Sequence, residues 1–587
     1  MSTANPEASA PLQAYRAVVP AVVRRRVARK VPTGLRAALK RLLRRLHALG
    51  FLTRRLRAVR ARRRWPQLRT FERGPGLAAV PGNRIAVVRS AVSPLELRED
   101  NLERVVSALE GADVDHFVIR GTSDLRSCVA VSAADREQVA ELLGRFGAAG
   151  PVYVQPRRGE SAAGQAVLCG SRHAARAARE ADVLRVGSVW SHPAKTLVLG
   201  LEHGCDLEFW QPGEDRLVAP RPNRITEEVA FGEPLVTLPA SRLTSFAAPP
   251  TRRTRPVRTL AASAERLPED VRFPIDAVYT WVDGSDPAWL RRRAAHGDKG
   301  YHAESANAAR YISRDELRYS LRALEQNAPW IRRVHLVTDR QRPAWLDDSH
   351  PRITVVDHAE IFDDPAALPT FNSHAIESRL HHIKGLSEHF LYFNDDMFLG
   401  RPVTPQDFFL SNGMSRIFFS PSQVPHWGNP TVDRPVDAAG KNNRRLLREK
   451  FGTAIVHKLR HAPYALRRSV LEEIEREYAA EHRRTTYSRF RSAADLSIPS
   501  SLYHYHAYLT GRAVPSQIAF AYLDLAKPEI QRRLGILLAR RDRQAFCIND
   551  TLSDGLDVDR QTVMLRAFLD AYFPVPSPFE RKEGEVR

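Results

Sequence analysis

The sequence predicts an α/β protein whose mixed sheet occupies the second half of the chain, behind a smaller α+β unit and a basic helical arm. Three observations carry this expectation. Strand-like and helix-like segments alternate from about residue 271 to 574, the pattern of a parallel or mixed sheet covered by helices. Apolar runs of strand length dominate residues 81–260. Residues 23–64 hold 17 Lys or Arg and no acid, with leucines at helical spacing.

The chain has 587 residues, room for about two to four domains. At 43% hydrophobic and 27% charged it reads as globular, with sizeable cores. The formal net charge is +22, from 89 Lys+Arg against 67 Asp+Glu, and the surplus is concentrated near the N-terminus. Cys128, Cys169, Cys205 and Cys547 lie far apart without a CxxC spacing, which points away from a disulfide framework or a cysteine zinc site and toward a reducing compartment. No uninterrupted apolar run reaches ~18 residues, so no transmembrane helix is expected. No charged segment precedes an apolar core at the start of the chain, so no signal peptide is expected. The expected location is cytoplasmic.

Residues 1–80 are expected to form the arm. Leu35, Leu39, Leu42, Leu43, Leu46, Leu49, Leu52 and Leu56 recur on one helical face among Arg and Lys. An anionic membrane surface, nucleic acid and the protein's own surface compete for this face. Basic residues contribute roughly 1 kcal/mol each near an anionic membrane, so residues 23–64 favour that surface. Aromatics interleaved for base stacking are missing, and nucleic acid is not an expected partner.

Residues 81–260 are expected to form an accessory α+β unit. RIAVVRSAV, HFVIRG, SCVAVSA and PVYVQP read as strands around a helix over 135–146, and TLVLGLEHG and CDLEFWQPG as further strands. Residues 247–258 read as a Pro/Arg-rich linker. In the third unit, 271–574, PIDAVYTWVDGSD, RRVHLVTD, RITVVDH and FLYFNDD read as strands. Helices are expected over 314–324, 374–389 and from Leu466 to Tyr478, and residues 575–587 as a charged tail.

Ligands of such sheets bind beyond the carboxyl ends of the strands. Asp283, Asp286, Asp339, Asp357, Asp395 and Asp396 fall at those ends. The pair in HFLYFNDDMFLG is the sharpest case, because two carboxylates interrupt an apolar run. Successive strand residues face opposite ways, so Asp395 and Asp396 reach one ligand only if the strand ends there. Such a pair either caps a turn or holds a hard cation such as Mg²⁺ or Mn²⁺ on phosphate oxygens. Arg310, Arg314, Arg318 and Arg322 are available for phosphate charge, each with a surface ion pair as the alternative. His374, Glu377, His381 and His382 share the expected helix before FNDD, in a spacing unlike known zinc sites. His461, expected to precede a helix, is either a cap or a general base.

IDAVYTWVDGSDPAWL, RDELRYSLRALEQNAPWIRRVHLVTDRQRPAWL, PTFNSHAIESRLHHIKGLSEHFLYFNDDMFLGRPV, the HAP-helix-FRSAADL block and CINDT resemble, in order, the blocks of the Stealth family. That family includes bacterial capsular-polysaccharide phosphotransferases and the α/β subunit of the lysosomal-enzyme GlcNAc-1-phosphotransferase. The resemblance runs from about Phe273 to Leu552 and leaves the N-terminal half outside. It implies a Rossmann-like, GT-A-like catalytic domain and a sugar-1-phosphate transferase, in which an acceptor hydroxyl attacks the β-phosphate of a UDP-sugar and UMP leaves. By that resemblance Asp395, Asp396 and Asp550 would hold the metal. His461 would be the base, Asp396 would share in the chemistry, and Arg491 would bind phosphate. Tyr279, Thr280, Trp281, Gly284, Glu316, Arg318, Asn372, Ser373, His374, Glu377 and Asn549 would shape the donor site, and the bottom-up reading adds Arg310. The implied partners are a UDP-sugar and a glycan acceptor; the basic stretch 23–64, outside the resemblance, is expected to hold the chain at the inner face of the plasma membrane.

Two alternatives stay open in the residues themselves. A metal-dependent glycosyltransferase releasing UDP needs the same strand-end acids. A catalytically dead membrane-surface binder needs none of them, and the joint presence of Asp395, Asp396, His461, Arg491 and Asp550 counts against it.

Overall fold

The computed structural model describes residues 76–581, apart from 83, 147–149, 248–253, 298–310, 312, 427–432 and 551–557, together with Val59 and Arg63. Arg310 and, but for those two residues, the arm up to residue 75 lie outside them; the end of the expected arm, Leu77–Val80, is instead a strand paired antiparallel with Arg84–Val88.

An eleven-stranded sheet is built between His116 and Leu260, around the parallel pair Ser127–Ser132 and Cys205–Pro212. Helices Pro94–Gly111, Arg136–Arg145 and Arg172–Glu180 bury Leu102, Val105, Leu143 and Ala174 in one core with Val129, Val131 and Leu207. The first helix was not among the sequence expectations. Its start is nonetheless written in Ser93-Pro94, where the Ser93 hydroxyl accepts from Glu96 N and Pro occupies the first turn. The linker reading needs a correction at its end: Pro256–Leu260 is a strand, parallel to His116–Ile119 and antiparallel to Leu235–Pro239.

The second half is a mixed α/β array. In chain order it contains β1 (Ile275–Thr280), α1 (Glu316–Asn327), β2 (Val334–Thr338), β3 (Ile353–Asp357), α2 (Ser373–Glu377), β4 (His389–Asn394), β5 (Met397–Leu399), β6 (Tyr464–Arg467), α3 (Arg468–Glu477), β7 (Phe520–Asp524) and β8 (Ala545–Asn549). The main sheet has the order β3-β2-β1-β4-β6, with β1 to β4 parallel and β6 antiparallel on the edge. From β1 the chain first builds outward to β3, then returns to place β4 on the other side. The switch point therefore lies between β1 and β4, where such sheets bind ligands. Ala277, Val278, Leu336, Phe390, Leu391 and the α1 residues Leu317, Leu321 and Leu324 share the core beneath it. After β4 a two-residue turn, Asp395-Asp396, leads into β5, which pairs with β8 in a separate sheet of order β5-β8-β7.

Three expectations change. The helix expected over 374–389 is α2 followed by a 3₁₀ turn, Leu380–His382, because Ile383 is extended and Gly385 has a φ of 76°. The helix expected from Leu466 begins at Arg468; Tyr464–Arg467 is instead β6, with Ala465 and Leu466 paired to Leu391 and Phe390. The charged tail is packed at its start: Phe579 is fully buried, and Glu580 takes hydrogen bonds from Arg318 and Arg322. Among the described residues no helix is long and apolar enough to cross a membrane.

Candidate functional site

Four strands end at the same edge, but their terminal acids do different work. Asp286 caps Pro287–His296, Asp357 closes a capping box on His358–Ile361, Asp339 pairs with Arg292 at 2.9 Å, and Asp283 holds Ser285. Those four serve local structure. Only the Asp395-Asp396 turn gathers other functional side chains.

Strand register brings them there. β6 pairs with β4 as Tyr392↔Tyr464; continuing that antiparallel register by three residues sets His461 opposite Asp395. The His461 ring lies with Nε2 3.4 Å from Asp396 Oδ1 and Nδ1 3.2 Å from the Tyr464 hydroxyl. β5 pairs with β8 as Met397↔Cys547, and the Cys547 thiol donates to Asp396 Oδ2 at 3.1 Å. Asn549 and Asp550 follow at the end of β8. From α1, Glu316 accepts from Arg314 N at 2.6 Å, while the Arg314 guanidinium donates to Asp550 Oδ2 at 2.7 Å. Ser320 fixes α1 on β5 by donating to Met397 O.

A second group arrives on α2. Glu377 accepts from the Tyr392 hydroxyl at 3.1 Å, and that hydroxyl is 2.9 Å from Thr280 Oγ1. Arg491 donates to Ser373 Oγ at 2.7 Å. Asn372 caps α2, and its amide donates to Asp495 at 2.8 Å, while His374 Nδ1 lies 3.4 Å from the same carboxylate. Asp495 also accepts from Ser492 N, so it clamps the Arg491 loop to α2.

The acids raise one another. Burial, then the charges of Glu316 and Asp396, push Asp395 well above the usual carboxylate range. Glu316 is pushed up to about 7, chiefly by burial, with Asp396 adding to it. Burial also raises Glu377. Burial alone would lower His461, yet its net direction is upward because Asp396 bonds and attracts the imidazolium and Glu377 adds its charge. About 30% of the His461 side chain is open to solvent, which softens the burial penalty and leaves the upward direction standing. The Cys547 thiol is pushed up by burial and by Asp396, and so stays a donor.

This donor set suits a divalent cation. Glu316, Asp395 and Asp396 repel one another, and Asp396 Oδ1 is approached only by His461 Nε2, at 3.4 Å, among the described residues. Asp396, His461 and Cys547 bring ligand atoms within 4.8 Å of one another, so nitrogen and sulfur stand beside the oxygens.

The structure gathers Asp395, Asp396, His461, Glu316 and Asp550 around one turn, with Glu377 and Arg491 close enough to act on His461. Other expected site residues stand apart or are engaged internally. Arg318 turns away to Glu580, and Arg310 lies outside the described residues. Tyr279 is fully buried, with its hydroxyl on Ser320 and its ring stacked on Phe393. Trp281 is half-buried and its backbone N–H bonds Val337 O. Sequence reasoning missed Cys547, although it lies two residues before Asn549 on the same strand and so on the same face.

Gly284 has a steric role. Its N–H donates to Tyr311 O at 2.7 Å, and a Cβ there would come within 2.4 Å of the Tyr311 backbone oxygen. Gly284→Ala is therefore expected to lower unfolding free energy by about 1–3 kcal/mol through overpacking, read as a shifted urea midpoint; an unchanged midpoint would refute the contact.

Comparison with known proteins identifies the family. Residues 273–301, 310–417, 460–508 and 536–587 match, in order, Stealth protein CR1, CR2, CR3 and CR4, conserved regions 1 to 4. An exopolysaccharide phosphotransferase of Streptomyces coelicolor is 72% identical over 100% of both chains. A second from the same organism is 45% identical over 98% of this chain and 99% of its own. One from Mycobacterium tuberculosis is 35% identical over 86% and 92%. The crystal structure of galactosyltransferase LgtC with donor and acceptor sugar analogs aligns with 50% of this chain and 96% of its own at 10% identity and a TM-score of 0.26, too distant to carry an argument. With full-length identity to such relatives and all four conserved regions present in order, the chain belongs to the Stealth protein family.

Proposed function

We propose that this protein transfers a sugar 1-phosphate from a UDP-sugar to a hydroxyl of a glycan acceptor during exopolysaccharide synthesis, releasing UMP. The observation that carries the reading is the meeting of His461 with Asp396 at the switch point, from two strand registers, beside an acid cluster suited to a cation. Relatives named exopolysaccharide phosphotransferases support the same class of reaction.

His461 takes the acceptor proton as the hydroxyl oxygen bonds to the β-phosphorus. The bond from that phosphorus to the bridging oxygen breaks, and the bridging oxygen leaves with UMP. Asp396 orients the imidazole and stabilises the imidazolium that forms. Arg491, steadied by Ser373 and by the Asp495 clamp on its loop, binds phosphate oxygens. Asp395, Asp396 and Glu316 would hold Mg²⁺ or Mn²⁺, with Asp550 reaching it only if it shares its carboxylate with Arg314. Such an ion supplies neutralisation of the diphosphate and of the departing charge. Ser373, His374, Glu377, Thr280 and Asn549 line the donor side, whereas Asn372, Tyr279 and Gly284 act by positioning the backbone. Residues 23–64 hold the protein on an anionic membrane at its cytoplasmic face.

The test is to incubate the full chain with Mg²⁺ or Mn²⁺, a panel of UDP-sugars and a crude glycan acceptor, and to identify the released nucleotide. UMP is the expected product. UDP would replace this reading with glycosyl transfer, and no acceptor-dependent nucleotide release from any donor would overturn both.

A further inference from the structure

A second cluster of ligating groups lies outside the acid turn. His381 and His382 stand in the 3₁₀ turn Leu380–His382, just beyond α2, and Glu475 projects from α3. Their Nε2 atoms lie 2.5 and 2.9 Å from the same Glu475 oxygen, and the two rings are 4.3 Å apart. Arg379 takes the other oxygen of Glu475 and also pairs with Asp363, so both imidazoles are left to share the single oxygen Oε2.

We propose that His381, His382 and Glu475 form a zinc site, separate from the acid turn, that staples the turn after α2 to α3. The staple joins the element carrying Glu377 to the one that follows β6 and His461, and so holds the two sides of the proposed active site in register.

The donor types support zinc. Two imidazole nitrogens and a carboxylate are a familiar zinc set, completed by a fourth ligand or water. Tetrahedral bonds of ~2.0–2.1 Å set ligand atoms about 3.3 Å apart, so the imidazoles need only draw back slightly from the carboxylate. Water is the candidate for the fourth position, since His482 approaches the Glu475 oxygen that Arg379 holds. The surroundings resemble an outer shell. Asp363 stands 3.9 Å from His382 Nδ1, and Arg379 bonds the oxygen of Glu475 turned away from the histidines. Zinc is preferred over Mg²⁺ because imidazole donors suit the softer ion.

The experiment loads the full chain with Zn²⁺ alone, dialyses it against metal-free buffer and measures bound metal by elemental analysis. One zinc per chain is expected in Asp396→Asn, which removes the Asp396–His461–Cys547 cluster as a competing site, and none when Glu475→Gln is added to it. Cobalt loaded in its place should give the visible absorption of a tetrahedral complex, also lost when Glu475→Gln is added. His382→Ala, on the more open side of the cluster, serves as a second variant if Glu475→Gln does not fold. No retained zinc in the unmodified chain would reduce the cluster to an ion-pair network and overturn the proposal. Zinc lost with Asp396→Asn but kept with Glu475→Gln would place the ion in the acid turn and overturn it equally. Neither result bears on which nucleotide the enzyme releases.

Discussion

Asp396→Asn is expected to abolish measurable turnover, a fall of about 10³-fold or more, while the protein stays folded. Asp396 touches both His461 and Cys547, and its charge reaches Asp395 and Glu316. The amide keeps the size and loses the charge, so the imidazolium forming at His461 loses its stabilising partner and the acid turn loses a cation ligand. Folding should not suffer. The backbone carbonyl of residue 396 still accepts from Ile548 N, and removing one of three mutually repelling acids relieves Asp395 and Glu316. The decisive measurement pairs acceptor-dependent nucleotide release with a thermal melt. A lost rate with an unchanged or raised Tm supports the assignment. A normal rate sinks it, and a lowered Tm would recast Asp396 as a structural residue.

The same residue type carried two messages in this sequence, and only the context after each strand separates them. Asp286 and Asp357 are each followed at once by a helix that they cap; an acid before a helix start is a folding feature. Asp395 and Asp396 are followed by more apolar strand, leaving no helix N–H groups for them to serve. Their anomaly was therefore legible, and so were β1 to β4, whose apolar runs end where the strands end. β6 was not legible because Tyr464, Ala465 and Leu466 are all buried, and such a run looks alike in a helix and in a strand covered on both faces. His461 consequently stood before a helix in the sequence and before an edge strand in the fold. The local sequence left cap and general base open for it, and the family resemblance chose the base; the antiparallel register explains how it reaches the turn. Cys547 stayed hidden because a cysteine within Ala-Phe-Cys-Ile reads as core. The tertiary pairings of Arg318 with Glu580 and of Asn372 with Asp495 join residues too distant in sequence for local pattern to expose.

His461→Ala is expected to lower kcat by about 10²–10⁴-fold, the usual contribution of a positioned general base, while UDP-sugar binding persists. The separation follows from geometry: His461 sits beside Asp396 and Tyr464 on β6, whereas the proposed donor contacts come from α2, β1 and the end of β8. Titrating the variant with UDP-sugar should give near-normal affinity; lost binding would move His461 into the donor site and leave the base unassigned. The pH profile adds an independent readout. Only the neutral imidazole can accept a proton, and Asp396 and Glu377 raise its pKa. Activity of the unmodified enzyme should therefore fall as pH drops through that raised pKa, at a higher pH than for an ordinary histidine. The same pair contributes stability in the opposite sense, fully present below the unfolded-state pKa and fading as pH rises through the folded one. Conditions that favour catalysis thus weaken the His461–Asp396 attraction, and His461→Ala should remove both the acid limb of the rate and this dependence of stability on pH.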